Sequence, residues 1–399
     1  MRQFDITFFF GPGKDLILRE DVIADMEDAG ITLAQLCHST EINKKALPLL
    51  ARHGIRADVG DPRISALYKC RDFEHTDETV RQVVADYAGF DNVEGFDICD
   101  EPESDSFPIL SAIVSAFRKY APDKETVINL FPNYATPEAL HDTDYHSHLT
   151  HFVEQVDPHF LSYDHYHFRG RKVPAVNADP GSERARLIRE CAVKSRDRAG
   201  FFENIEQIRR LGLEKDLDQM LIVLLVAHGP YRDLTRAEIL WEVNMCLAYG
   251  FRRLSYFTYG LPVVADNDYW MFDNAMCDTE GRKMPHYFDV QAINRAVTPI
   301  GQHIFRTKSA AVFHTDSKEP GTVPFTGYGP LRSVTGDSGV IGFFEDGTAY
   351  LVNRDYQNPS AFSLHADTPI SRFENGSFVP GGCDLTVTLP AGGGILLKF

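Results

Sequence analysis

Eight short apolar segments that alternate with amphipathic segments constrain the fold of this chain more than any other feature. The apolar segments are rich in β-branched and aromatic residues, and most are followed by a polar or Gly/Pro-containing loop and a helical period. This order is typical of parallel strands joined by covering helices. Eight units favour a closed (β/α)8 barrel over an open doubly wound sheet. The predicted strands are Ile6–Phe10, Thr32–Cys37, Arg56–Val59, Gly95–Cys99, Thr126–Phe131, Phe160–Tyr163, Met220–Val226 and Arg253–Tyr259.

The sequence signals for helix starts and ends agree with the predicted alternation of strands and helices. Thr235 and Glu238 form a capping-box pattern, and the helix that they begin is predicted to close at Gly250. The stretch 169–200 is richer in Arg, Pro, Gly and Ser, which predicts a long loop after strand six. No GxGxxG or P-loop motif follows the first strand, which weakens a nucleotide-binding interpretation.

The pattern changes after residue 308. From Ser309 onward, short strand-like segments are separated by turn residues such as those at 345–347 and 374–376. This spacing predicts an antiparallel β-sandwich. With 399 residues, the chain is longer than a usual single domain. We therefore predict two domains, a barrel at 1–308 and a β-sandwich at 309–399.

The composition of the chain restricts the kinds of partner that it can bind. A net charge of −17 and a pI near 5.3 disfavour a nucleic-acid backbone or an anionic membrane surface, whereas neutral polar ligands stay open. The seven cysteines have no paired spacing, so neither a disulfide framework nor a zinc site is expected. No secretory leader and no membrane-spanning run is evident, and we expect a cytoplasmic protein. A homo-oligomer is left open.

Polar and aromatic residues follow almost every predicted strand, where a barrel of this type has its active site. Carboxylates, amides and rings that converge in one cleft suit a sugar, whose hydroxyl groups need hydrogen-bond partners and whose C–H faces stack on rings. A carboxylate pair stands out after strand four, where Asp100 and Glu101 precede Pro102. The candidates are His38, Asp61, Asp100, Glu101, Asn133, Asp164, His165, Tyr166, His228, Tyr231, Tyr259 and Trp270.

The barrel with a small sandwich, together with the Asp-Glu-Pro triplet at 100–102, resembles the large clan of (β/α)8 glycosidases that includes β-galactosidase-like enzymes. The runs at 130–134, 163–166, 248–250 and 256–259 are also similar to those of that group. The resemblance covers roughly residues 3 to 306. It implies a glycoside hydrolase that acts on an oligosaccharide or small glycoside, with Glu101 as general acid and Asp100 where the clan usually has Asn.

The chain departs from the clan at strand seven. Retaining members have a nucleophilic glutamate there, whereas the segment Val226–Tyr231 has no carboxylate. Hydrolysis of a glycosidic bond needs a second carboxyl group, either to attack or to activate water. Asp164 is the best substitute and Glu203 the second. The vacant position slightly favours inversion over retention.

Each role has a simpler alternative. Glu101 could pair with a rim arginine, Asp164 could orient His165, and Glu203 could be an acid at a helix start. No metal or cofactor is expected, although alternating histidines at 165 and 167 leave a metal-dependent barrel hydrolase or isomerase open. A sugar-binding barrel without catalysis is the third hypothesis.

Overall fold

The computed structural model describes residues 3–173, 179–193, 197–264, 267–316 and 318–399. Eight parallel strands form one sheet in the order β1-β8-β7-β6-β5-β4-β3-β2. The edge strands meet where the Thr32 amide donates to the Ile6 carbonyl (2.9 Å) and the Ile6 amide to Thr32 Oγ1 (3.0 Å). The predicted (β/α)8 barrel is confirmed. Its strands are β1 (Asp5–Phe9), β2 (Leu33–Leu36), β3 (Arg56–Val59), β4 (Val93–Asp100), β5 (Glu125–Leu130), β6 (Phe160–Asp164), β7 (Asp218–Leu224) and β8 (Arg253–Phe257).

Helices cover the barrel, and the predicted capping box is present at the start of the helix that follows Thr235. Thr235 and Glu238 make both hydrogen bonds of the capping box. The helices are α1 (Glu20–Asp28), α2 (Thr40–Arg52), α3 (Pro62–Cys70), α4 (Thr76–Tyr87), α5 (Phe107–Tyr120), α6 (Pro137–Leu140), α7 (Tyr145–Val156), α8 (Glu183–Val193), α9 (Phe201–Lys215), α10 (Arg236–Ala248), α11 (Asn267–Trp270) and α12 (Pro285–Ile304), with a 3-10 turn at Ser104–Ser106.

The stretch 169–200 differs from its prediction as a plain loop, because it contains α8. Arg186 forms ion pairs with Glu183 and Glu190, one helical turn to either side, while the buried Leu187 packs in an apolar cluster with Tyr269. The charged composition therefore belongs to the exposed face of a helix. Residues 174–178 and 194–196 of this stretch lie outside the described residues.

After α12, antiparallel strands form a three-stranded sheet, β10-β13-β16, and a six-stranded sheet, β15-β14-β17-β12-β11-β9. The predicted β-sandwich is thus confirmed, while the division at 308/309 stays a prediction. The strands are β9 (Ser309–His314), β10 (Leu331–Gly336), β11 (Gly339–Phe344), β12 (Thr348–Asn353), β13 (Ser360–Ala366), β14 (Ser371–Glu374), β15 (Ser377–Val379), β16 (Asp384–Leu389) and β17 (Gly394–Lys398).

The larger sheet packs on α10, which is buried on almost every side. The Tyr350 hydroxyl donates to Asn244 Oδ1 (2.7 Å), and Asn244 Nδ2 donates to the Gly392 carbonyl (2.8 Å). These buried hydrogen bonds fix one orientation of the sheet on the barrel. Over the described ranges, no helix has the length and apolar character needed to cross a bilayer.

Candidate active site

A cleft of about 400 Å³ opens at the carboxyl ends of the barrel strands. This is the position at which barrel enzymes carry their active sites. The size is that of a small-molecule site, and the lining combines aromatic rings with a few carboxylates. Its lining residues are Phe9, Phe10, Asp100, Glu101, Asn129, Tyr134, Asp164, Tyr166, His228, Tyr231, Phe257, Val264, Trp270 and Phe272.

Three carboxylates converge in this cleft. Asp100 is the last residue of β4, Glu101 follows it, and Asp164 is the last residue of β6. The backbone of Glu101 has φ +46°, and its amide donates to the Asn129 carbonyl at 2.8 Å. Left-handed φ is uncommon for a residue other than glycine, and strain of this kind clusters at functional sites when neighbouring contacts hold it in place.

Asn129, in β5, joins two of these acids. Its Nδ2 donates to Asp100 Oδ1 and to Asp164 Oδ1, at 3.0 Å each. Its Oδ1 accepts from Ser162 Oγ at 2.8 Å, and a flipped amide would turn that oxygen toward two carboxylate oxygens. The two aspartate oxygens are therefore at most about 6 Å apart, since both lie 3.0 Å from the same nitrogen.

The three carboxyl groups differ in their affinity for a proton. Burial raises the pKa of Glu101, and the charges of Asp164 and Asp100 raise it further. Burial and the charge of Asp100 also raise the pKa of Asp164, but the Asn129 hydrogen bond and Arg198 oppose that rise. Within the described residues, no side chain bonds to the Glu101 carboxyl. Glu101 is therefore the acid that holds a proton most readily, whereas Asp100, whose charge raises the pKa of the other two, ionises before Asp164.

Aromatic rings build the walls of the cleft. Tyr166 meets Tyr231 edge-on, with ring centres 5.4 Å apart. Trp270 and Phe272, which also line the cleft, lie nearly parallel, with ring centres 6.2 Å apart and an angle of 17°. Trp270 keeps 41% of its surface exposed, so its face is available to a ligand. Ring faces of this kind stack on the C–H faces of sugars.

His228 occupies the exit of β7, where the resembled clan has a glutamate. Its Nδ1 lies 2.9 Å from the Val226 carbonyl, and its ring stacks on Phe272 at 5.3 Å. Burial lowers the pKa of His228 to about 4, so the ring is neutral near pH 7. Because a carbonyl only accepts, the proton is on Nδ1, and Nε2 is left as an acceptor.

The structure brings seven of the predicted site residues together in the cleft: Asp100, Glu101, Asp164, Tyr166, His228, Tyr231 and Trp270. Their shared feature is a position at or just beyond a strand end, or in the loop after β8.

Two predicted site residues are structural instead. Asp61 caps α3, accepts from Arg63 Nε at 2.8 Å and from the Tyr87 hydroxyl at 3.0 Å, and so has its oxygens occupied. Tyr259 is buried, and its hydroxyl donates to the Val22 carbonyl at 3.4 Å. The prediction that they line the cleft is wrong, because both side chains point toward the covering helices and not into the cleft.

His38 lines a neighbouring cavity rather than the cleft itself. His165 is buried, contacts the rings of Tyr134 and Phe201 edge-on, and shares a 3.1 Å hydrogen bond with Asn204 of α9. It faces away from the cleft because its neighbour Asp164 faces into it.

Asn133 and Glu203 line a third cavity, which has Tyr134 in common with the cleft. Asn133 Nδ2 donates to the Gly200 carbonyl at 3.1 Å, so that amide holds the entry to α9. Glu203 lies in the first turn of α9, as its simpler interpretation supposes. The structure does not bring either side chain to the three acids.

Sequence patterns do not identify the other residues that line the cleft. Asn129 is the one that a sequence feature could have indicated, because it is an amide inside an otherwise largely apolar strand. Phe10, Val264 and Phe272 lie in loops whose course periodicity does not reveal. Across the described part of the chain, no group of three or more His, Cys, Asp or Glu residues has the arrangement of a metal site.

Comparison with known proteins adds a fold-level likeness. No protein-family model matches the chain, and no curated protein sequence is similar to it. Solved structures of glycoside hydrolases are similar in fold. A family 5 glycoside hydrolase from Bacteroides vulgatus has a TM-score of 0.59 at 8% identity, over 99% of this chain and 88% of that one.

Two further solved structures show the same likeness. A family 39 glycoside hydrolase from Bacteroides cellulosilyticus has a TM-score of 0.55 at 9% identity, over 100% of this chain and 81% of that one. A β-galactosidase from Marinomonas has a TM-score of 0.52 at 10% identity and matches 75% of this chain, which spans 60% of that enzyme's length. At such identities the likeness defines the class by fold alone, a (β/α)8 barrel of the architecture found in glycoside hydrolases.

Proposed function

We propose that the protein is a glycoside hydrolase acting on an oligosaccharide or small glycoside. The observation that carries this proposal is the cleft in which Glu101, with a raised pKa, lies beside Asp164 between aromatic walls. Two carboxyl groups with different proton affinities are what glycosidic bond cleavage requires. The fold shared with glycoside hydrolases supports the same conclusion.

In the proposed reaction, Glu101 donates its proton to the glycosidic oxygen while the bond from that oxygen to the anomeric carbon breaks. Asp164 supplies the negative charge on the other side of the sugar. It either forms a covalent bond to the anomeric carbon, which water later breaks, or takes a proton from the water that attacks. The proton lost from water then restores the starting state of the acids.

Asp164 is a better second carboxylate than Glu203. Asp164 lines the cleft, is held by Asn129 and lies near enough to raise the pKa of Glu101. Glu203 lines a separate cavity. Asp100, exposed to the cleft and bonded to Asn129, is suited to accept a hydrogen bond from a sugar hydroxyl.

A non-catalytic sugar-binding protein is the second candidate, and the neutral His228 at the exit of β7 favours it. Such a protein would keep the aromatic walls and bind sugar without turnover. Measurement of hydrolysis separates the two proposals.

The decisive experiment compares leaving groups. Nitrophenyl glycosides and methyl glycosides of the same sugar are assayed with the wild type, Glu101→Gln, Asp164→Asn and the matched control Glu203→Gln. Loss of a general acid costs about 10²–10⁴-fold. We expect that loss for Glu101→Gln on methyl glycosides and a much smaller one on nitrophenyl glycosides, whose leaving group needs little protonation.

Asp164→Asn should impair both substrates alike, because the second carboxylate acts on the anomeric carbon or on water whatever the leaving group. Glu203→Gln should behave as the wild type does. Equal activity of Glu101→Gln and wild type on methyl glycosides would refute the assignment. The anomer of the first-formed product, read by NMR, distinguishes retention from inversion.

A further inference from the structure

A second cavity of about 480 Å³ adjoins the cleft, and we call it the annex. It lies between the loop after β1 and the loop after β8. Phe10 and Val264 line both the cleft and the annex, so the two spaces are direct neighbours. The lining of the annex is Phe10, Gly11, Pro12, Gly13, Lys14, Asp15, Leu16, His38, Gly260, Leu261, Pro262, Val263, Val264, Asp278 and Thr279.

Three apolar side chains that line the annex are exposed to solvent. Phe10 is 54% exposed, Val263 82% and Val264 36%. Single exposed apolar residues are normal, but three that border one cavity beside a functional site indicate a binding surface. Their exposure is the reverse of what packing alone would produce.

Phe10 is held in this exposed position at a conformational cost. Its φ is +66°, a genuine outlier for a bulky residue. Two hydrogen bonds fix the backbone there, because its amide donates to Gln35 Oε1 at 2.9 Å and its carbonyl accepts from the Tyr259 amide at 3.1 Å. The ring stands edge-on to Phe9 and Phe257. Strain that the surroundings enforce in this way points to function.

Five polar side chains line the annex, and two of them, Asp278 and His38, are poorly placed to bind a sugar. Asp278 accepts from Arg282 Nε at 2.7 Å and from the amides of Glu280 and Arg282 at 2.9 Å, so its oxygens are engaged. Burial lowers the pKa of His38 and disfavours its charged form. Prolines and glycines form much of the remaining wall and offer few side-chain hydrogen bonds.

We propose that the annex binds the apolar, aromatic aglycone of the substrate, while the sugar occupies the cleft. This inference rests on the proposed glycoside hydrolase function and names the substrate class, an aryl glycoside. The flat ring of the aglycone would pass Phe10 and pack against Val263, which lines the annex alone.

The test has a kinetic part and a binding part. Hydrolysis of 2-naphthyl and methyl glycosides of the same sugar is compared in the wild type, Val263→Asp and the control Val323→Asp, a valine that is 49% exposed far along the chain. We expect Val263→Asp to lower the naphthyl-to-methyl ratio of kcat/KM about tenfold, mainly through KM, because a charge replaces apolar contact. Val323→Asp should keep the wild-type ratio.

Binding of free 2-naphthol, measured by ligand-observed NMR, makes the annex testable without turnover. If the wild type binds 2-naphthol and Val263→Asp does not, the result supports the annex as an aglycone site. If the wild type also hydrolyses no glycoside, the proposed function fails while the annex stands. Hydrolysis of glycosides with an unchanged ratio and unchanged naphthol binding in Val263→Asp overturns the annex alone. A dimer that Val263→Asp dissociates, measured by sedimentation, would also overturn it by assigning the surface to self-association.

Discussion

At the scale of single residues, Asn129 does more to organise the acids than any residue that the sequence suggests. One amide group reaches both Asp100 and Asp164 and is held in turn by Ser162. A hydrogen bond to a charged carboxylate favours the ionised form. Asn129 therefore keeps Asp164 the more acidic partner while Glu101 retains its proton.

This role predicts a shift in pH dependence. In Asn129→Leu, Asp164 loses the hydrogen bond that lowers its pKa, so that pKa rises. If ionised Asp164 is needed for turnover, the acidic limb of the kcat/KM profile should move to higher pH. The matched control is Asn133→Leu, whose amide serves the entry to α9. An acidic limb that stays in place in Asn129→Leu would contradict the role.

The predicted site residues that line the cleft share a simple property. Glu101 and Asp164 lie at the carboxyl ends of strands, and these ends form the face of the barrel on which active sites are built. Asp61 and Asn133 also follow strands, yet their side chains turn to cap or hold a helix. Side-chain direction in a loop depends on nearby partners that sequence position does not specify.

At the scale of elements, β4 shows how a strand can break its own alternation. Its pairing with β5 shifts register between Asp97 and Cys99. Before the shift, Asp97 accepts a 2.5 Å hydrogen bond from Gln35, and beyond it Asp100 lines the cleft. A bulge of this kind redirects side chains next to active sites. Periodicity alone cannot locate it.

The neighbouring strand β3 carries a buried acid that predicts a pH-dependent stability. Burial raises the pKa of Asp58 to about 8, with Arg253 opposing and Glu125 and Asp97 adding to the rise. An unfolded aspartate has a pKa of about 3.9. At pH values between these two pKa values, the folded state therefore binds more protons than the unfolded state. The free energy of unfolding consequently falls as the pH rises through that range.

Asp58→Asn removes this proton linkage. We expect the free energy of unfolding of the variant, relative to wild type, to be higher at about pH 8 than at about pH 5, by at least about 1 kcal/mol. Urea unfolding at both pH values measures the change. Asp91→Asn, on an exposed turn, serves as the control and should show no such difference. A pH-independent effect of Asp58→Asn would refute the linkage.

At the scale of the whole molecule, the six-stranded C-terminal sheet is joined to the barrel by direct backbone contact. A Cβ at Gly342 of β11 would lie 1.7 Å from the Ala248 carbonyl oxygen at the end of α10. Only glycine permits this approach, because a backbone atom cannot move aside as a side-chain tip does.

Gly342→Ala should therefore destabilise the whole protein. Forced overpacking costs about 1–3 kcal/mol, and we expect a loss at the upper end because the obstacle is backbone. Thermal unfolding measures the change, with Gly89→Ala as the control, since nothing lies within 4 Å of a Cβ there. Equal melting temperatures for Gly342→Ala and wild type would show that the sheet does not depend on this contact.

The sequence by itself determined the eight-fold alternation, the change to antiparallel strands after α12 and the position of two acids at strand ends. These features are local, because strand and helix periods are written in neighbouring residues. Only the tertiary structure decided which side chains meet. The bulge in β4, the amide of Asn129 and the rings of Phe10 and Phe272 converge through barrel closure and loop packing. Such contacts join distant parts of the chain, so no local pattern records them.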